Sequence, residues 1–259
     1  LSDGDDLGGA GLVQYHVLAS AGQPYWDGAT LFRKDAAGLY QPVSGQVVNG
    51  IAGVALEALP DWDLPYVTEL TRSLRVAFIS GDPSTLASAT YLEMMNGANF
   101  FAIGQPGRWE VCQVMTITNN GDGTYTFEGL RRGRMSSEEF TGLHQSGDLV
   151  VWLSGNNVQS IGYAIASLDD TFTYKAVGLG GTIANVAPVD RAVTGEAEKI
   201  PKPCQLAAVI NGSDIDISWV RRSRIGSYWA DDGGYEAPLG ESLEQYVLRI
   251  KSGPGGTVV

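Results

Sequence analysis

Side chains able to do chemistry are few and widely spaced in this sequence. His16 and His144 are its two histidines, and Cys112 and Cys204 its two cysteines. So few imidazoles starve mechanisms that need an acid–base group poised near neutral pH. No HExxH, GxSxG or phosphate-loop pattern places a metal, a nucleophile or a phosphate. The cysteines lack the CxxC spacing of a zinc or redox site and read as buried free thiols. Cys112 lies in the apparent strand 109–115, where a small apolar packing role suits it. His144, in Leu143-His144-Gln145-Ser146-Gly147, reads as a turn residue whose ring bonds nearby backbone. His16 alternates with Tyr15 and Val17 and reads as a surface or interface residue.

Carboxylates are abundant. Asp61/Asp63 and Glu138/Glu139 could mimic a glycosidase pair only if the two groups stood about 5–10 Å apart across a sugar. Proximity in sequence does not supply that, and no enzyme and no cofactor are expected. Asp3, Asp5 and Asp6 invite a calcium reading, but the further oxygen ligands and closing glutamate of a calcium loop are missing. A solvated end is the simpler account, and no metal is expected. The formal charge of −12, from 17 basic and 29 acidic residues, disfavours neutralisation of a phosphate backbone and excludes nucleic acid as an expected partner.

Two basic clusters stand against that balance: Arg131, Arg132 and Arg134, and Arg221, Arg222 and Arg224. Both read as candidate interface residues that pair with carboxylates. Trp26, Trp62, Tyr66, Tyr228, Trp229 and Tyr235 fall in turn-rich stretches, where flat rings pin loops to a core or face a partner. Tyr228 and Trp229, beside Asp231-Asp232-Gly233-Gly234, and Tyr235 just after them, are the candidates for receptor or glycan contact. By alternation, Trp109 and Trp219 are expected in cores.

These residues must be positioned by strands. The 34 glycines and the Asn-Gly, Asp-Gly and Gly-Asp pairs between short Val, Ile, Thr, Tyr and Phe runs indicate tight turns and an all-β chain. Strands are expected at 12–19, 29–33, 39–43, 54–58, 74–79, 89–94, 100–103, 109–118, 125–130, 149–153, 172–177 and 206–210. Asn119-Asn120-Gly121-Asp122-Gly123 is a hairpin turn, because these residues tolerate the positive φ that tight turns demand. Residues 136–140 could form one helical turn with Ser136 and Glu139 as a capping box. Ile215, Ile217 and Trp219 should point inward, with Asp214, Asp216 and Ser218 facing solvent.

The expected organisation is a multi-module β-sandwich or barrel architecture: an N-terminal β module at 1–80, a central β hub module at 81–180, a linker at 181–203 bracketed by Gly-Gly and proline, and a β module at 204–259. The roughly sixty residues from 201 onward fall short of the about 100 that a complete sandwich needs. That module is truncated, incompletely represented or a smaller β-unit. No stretch of about 18 apolar residues implies membrane insertion. Leu1-Ser2-Asp3-Gly4 lacks the charged start of a signal peptide, and the missing initiator Met suggests a start inside a longer polypeptide.

The order of several motifs carries a resemblance. Trp26-Asp27-Gly28-Ala29, Asn99-Phe100-Phe101-Ala102-Ile103-Gly104, Trp109-Glu110-Val111, Leu130-Arg131-Arg132-Gly133-Arg134 and His144-Gln145-Ser146-Gly147 are followed by Trp219-Val220-Arg221-Arg222-Ser223-Arg224. The series resembles the C-terminal hub region of tail-tip proteins of siphophages and gene transfer agents, with the start of a fibronectin type III-like module. Met135-Ser136-Ser137-Glu138 stands where that family has Gly-Thr-Glu after its Arg-Gly-Arg.

The resemblance implies a structural virion protein, a baseplate hub or central tail fibre that closes the tail tube and links it to receptor-binding parts. It further implies a homotrimer in contact with other tail-tip and tail-tube proteins, assembled in the host cytoplasm and located at the virion tail tip, with a host surface receptor as a further partner. The alternative reading is a carbohydrate- or receptor-binding module using the loop aromatics. An enzyme acting on cell-wall glycans ranks third.

Overall fold

The computed structural model describes residues 11–19, 26–62, 64, 67–153, 158–195, 203–221, 243–248 and 250. It is 49% strand and 9% helical, well beyond the usual 20–25% strand of globular proteins, so the chain is all-β. The strands are β1 (Gly11–Val17), β2 (Ala29–Lys34), β3 (Tyr40–Val47), β4 (Ala52–Ala55), β5 (Glu69–Ser80), β6 (Phe100–Gly104), β7 (Glu110–Asn119), β8 (Thr124–Arg134), β9 (Leu149–Trp152), β10 (Val158–Ala164), β11 (Thr171–Gly178), β12 (Val189–Ala192), β13 (Cys204–Asn211) and β14 (Asp214–Val220).

Six of them close a barrel in the order β4-β5-β8-β7-β6-β9, with β9 pairing back onto β4. Closure removes the free sheet edges that would otherwise pair with other chains. The interior is a packed core of residues such as Leu74, Phe101, Ile103, Val114, Phe127 and Leu130. Phe127 meets Phe101 edge-on at 5.3 Å and Trp152 at 6.2 Å.

Strands before and after the barrel make a second body. β12-β11-β2-β3 form one sheet and β1-β10 another, and Leu31 and Tyr174 of the first share a core with Ile161 and Tyr163 of the second. The barrel is thus inserted between β3 and β10. The sheets therefore divide near residues 50 and 153, not at 80 and 180. Gly28 marks one join: at φ +100 it passes so close to β3 that a Cβ would stand 1.9 Å from the Val47 carbonyl oxygen.

Several expectations need correction. Residues 89–94 are not a strand but hold the cap and most of helix α1 (Tyr91–Met95), fixed by a true capping box between Thr90 and Glu93. The turn at 136–140 is a 3-10 turn over Glu138–Phe140 after Ser137, which makes no cap bond. Its hydroxyl instead accepts from Val111 N at 2.9 Å and donates to Arg134 O at 2.6 Å. The 181–203 segment is not simply a linker. It holds β12, an edge strand on β11, and Val193, whose side chain is buried and whose main chain bonds to those of Asp169 and Asp170. β10, unforeseen, pairs with β1 along its whole length.

β13 and β14 form a two-stranded ribbon. Ile215 is 63% exposed and Trp219 36%, so the expected inward face is not buried. Trp219 packs edge-on against Tyr246 at 5.1 Å. A pair of strands has no second layer to cover an apolar face, so the residues expected inside stay exposed with their neighbours.

Candidate functional site

One end of the barrel gathers the polar residues. The starts of β5, β7 and β9 and the end of β8 converge there, and the segment after β8 folds over them. Gly129, at φ +66, lies where β8 changes phase: Tyr125 and Phe127 face the core before it, Leu130 and Arg132 after it. A bulge between Val111 and Gln113 on the partner register adds to the shift. The result is a fully buried guanidinium at Arg132.

Each N–H of that guanidinium finds an acceptor. Nε donates to Glu110 Oε1 at 2.7 Å and Nη2 to Glu110 Oε2 at 2.8 Å, a bidentate pair. Nη2 also donates to Thr141 O at 2.9 Å, and Nη1 to Pro60 O at 3.1 Å and Glu69 Oε2 at 3.2 Å. Glu110 Oε1 further accepts from Gly133 N at 2.7 Å. A buried charge is tolerable only when paired and bonded in this manner.

The network continues through His144. Its Nε2 lies 2.6 Å from Glu110 Oε2, and its Nδ1 3.5 Å from Asp148 Oδ2. Burial pushes the Glu110 carboxyl up, but the bonds from His144 and Arg132 outweigh it and hold the group near a pKa of about 2. An ionised carboxylate can only accept, so Nε2 of the His144 ring is the donor in this contact. Asp148 is buried as well, yet Arg108 and the Gln145 N–H hold its carboxyl below the ordinary range. Arg108 Nη1 donates to Asp148 Oδ2 at 2.6 Å and to Leu143 O at 2.8 Å. Burial, with the Glu110 carboxylate beside it, pushes the Cys112 thiol well up, so it is an inert packing group.

This arrangement places the sequence candidates as follows. Arg132 is interior and cannot be an interface residue. Arg131 is buried with Nη1 against Met95 Sδ, and Arg134 is half-buried. Arg221 pairs with Glu244 at 2.7 Å. Arg222, Arg224, Tyr228, Trp229 and Tyr235 lie outside the described residues, as do Asp63, Tyr66 and the acidic 1–10 segment. His144 bonds carboxylates, not backbone. His16 is not a surface residue: its ring packs 4.9 Å from Tyr174, and burial with Arg191 nearby lowers its pKa to about 4. Trp109 is only half-buried, because Glu110 takes the inward position. Trp26 packs on the second core and Trp62 pins its loop by donating to Leu64 O at 2.7 Å.

Asp61 caps this end by accepting from Thr141 Oγ1 and Trp62 N, while Asp63, its neighbour in the carboxylate pair, lies outside the described residues. Among the described residues no group of three or more His, Cys, Asp or Glu side chains is set to hold a metal ion. The sequence reading gives no individual role to Glu69, Arg108, Glu110 or Asp148. One signal was available for Glu110: counting back from the 119–123 turn places it beside the 131–134 arginines.

The fold and this centre define an all-β chain whose inserted barrel is closed at one end by a buried ionic cluster. Residues 50–151, almost the same span as the barrel, match the family model described as Rcc01698-like, C-terminal. No curated protein matches the chain.

Proposed function

We propose that the chain is a structural component of a phage-like tail tip, a baseplate hub or central-fibre segment that works by self-association and contact with other tail proteins. One observation carries the reading. Trp109-Glu110, Leu130 to Arg134 and His144 to Asp148, the motif residues that could have suggested chemistry, meet in a centre whose charges are buried and mutually bonded. A catalytic group must reach substrate or water; these groups instead lock loops onto a barrel. Such locking suits a part that transmits load and presents fixed loops.

The resemblance supplies the remainder: a homotrimer at the virion tail tip that joins the tail tube to receptor-binding parts. Immunogold labelling of purified tailed particles with an antibody to this chain tests it. Label confined to one tail end is the expected result, and particles lacking the chain would overturn the reading.

A further inference from the structure

The other end of the barrel is built differently. The segment before β6, the loop after β5 and the end of β9 enclose a groove of about 450 Å³, toward the lower end of the about 300–1,000 Å³ typical of small-ligand sites. Ile51, Leu86 and Trp152 give it an apolar floor, and Ser88, Glu93 and Asn99 bring polar atoms to its lining.

Asn99 is held at φ +58, an uncommon conformation for a residue with a side chain. Its Nδ2 donates to Ala87 O at 2.9 Å, and its carbonyl accepts from Val114 N at 3.1 Å. Oδ1 has no partner among the described residues. Glu93 spends only Oε2 on the capping box, at 2.8 Å from both Thr90 N and Thr90 Oγ1, which leaves Oε1 without a partner among the described residues as well. Ser88 is consumed by Ile117, donating to its O at 3.3 Å and accepting from its N at 2.9 Å.

The groove thus offers unpaired acceptors above an apolar floor. No Lys or Arg lines it, so with Glu93 present and a net charge of −12 it repels phosphates and carboxylates. Its complement is a neutral ligand with hydroxyl donors on one side and a C–H face on the other.

We propose that this groove binds a saccharide ring, with the C–H face on Trp152, Ile51 and Leu86 and hydroxyls donating to Asn99 Oδ1 and Glu93 Oε1. Aromatic and aliphatic floors take such faces by dispersion and burial. The site lies apart from the ionic centre and does not rest on the assembly role.

Proton–nitrogen correlation spectra of the full chain, titrated with N-acetylglucosamine and methyl β-glucoside and with ethylammonium as a cationic control, test it. At least one sugar should give saturable shifts at Leu86, Ala87, Asn99 and the Trp152 indole, with a dissociation constant on the order of 1–10 mM. Asn99→Gly keeps the backbone conformation and should weaken binding about fivefold to tenfold through the lost hydrogen bond. Ala87→Phe, at an exposed position, should fill the groove and abolish the shifts without lowering the melting temperature. The proposal is overturned if neither sugar gives saturable shifts there, if ethylammonium binds as well as the sugars, or if Ala87→Phe binds unchanged.

Discussion

Glu110 and Arg132 face each other with both carboxylate oxygens against the guanidinium, at 2.7 and 2.8 Å, and neither side chain has any exposure to solvent. A pair so placed gains little over well-packed apolar residues while it is intact, but breaking it strands a charge. Arg132→Met should therefore cost about 3–5 kcal/mol in urea unfolding, the range for removing one partner of a buried pair. Combining it with Glu110→Leu should recover part of that loss. Strict additivity of the two changes would show that the pair is not coupled.

Acid should act on the same pair. The Glu110 carboxyl sits near 2 in the folded chain against an ordinary 4.5. Below 4.5 the unfolded state takes up a proton that the folded state refuses, so the contribution present above that pH is lost as pH falls toward 2. Glu110→Gln should flatten this part of the stability profile, measured by thermal melts across the acid range.

His16 gives a second, separate window. Its folded pKa of about 4 lies below the ordinary 6.5, so the unfolded state binds the extra proton between those values. Stability contributed by keeping the ring neutral is complete above 6.5 and falls as pH drops toward 4. His16→Phe should remove that slope and leave the Glu110 window untouched. An unchanged slope in the variant would assign the effect to another group.

Met135, at φ +54, is held in the left-handed region, which costs an L side chain roughly 1–2 kcal/mol. Met135→Gly should relieve this and, after the larger entropy loss of glycine, stabilise the chain by about 0.5–1 kcal/mol. Chemical denaturation reads the difference. A destabilised variant would mean that the Met135 side chain contributes more packing than its half-buried position suggests.

Local signals in the sequence carried the all-β fold well. The 119–123 turn and its alternating flanks define the β7–β8 hairpin, where Asn119 Oδ1 accepts from Gly121 N at 2.9 Å and Asp122 Oδ1 from Thr124 N at 3.0 Å. What alternation cannot show is a change of phase. Gly129 turns Arg132 inward, where it and His144 both bond the buried Glu110, so strand 109–118 read alone places Trp109 in the core. Insertion of the barrel was hidden for a related reason: β1 pairs with β10 across more than a hundred residues, and no local pattern reports a partner so distant. Thr90 and Glu93 have the capping-box spacing of a helix start, a signal that reading 89–94 as a strand does not use.

The proposed role depends above all on self-association around a tail axis, and sedimentation velocity of the full chain over a wide concentration range measures it most directly. A closed ring needs threefold or higher symmetry, so the account predicts a species of three copies that persists on dilution. A monomer at every concentration would contradict it.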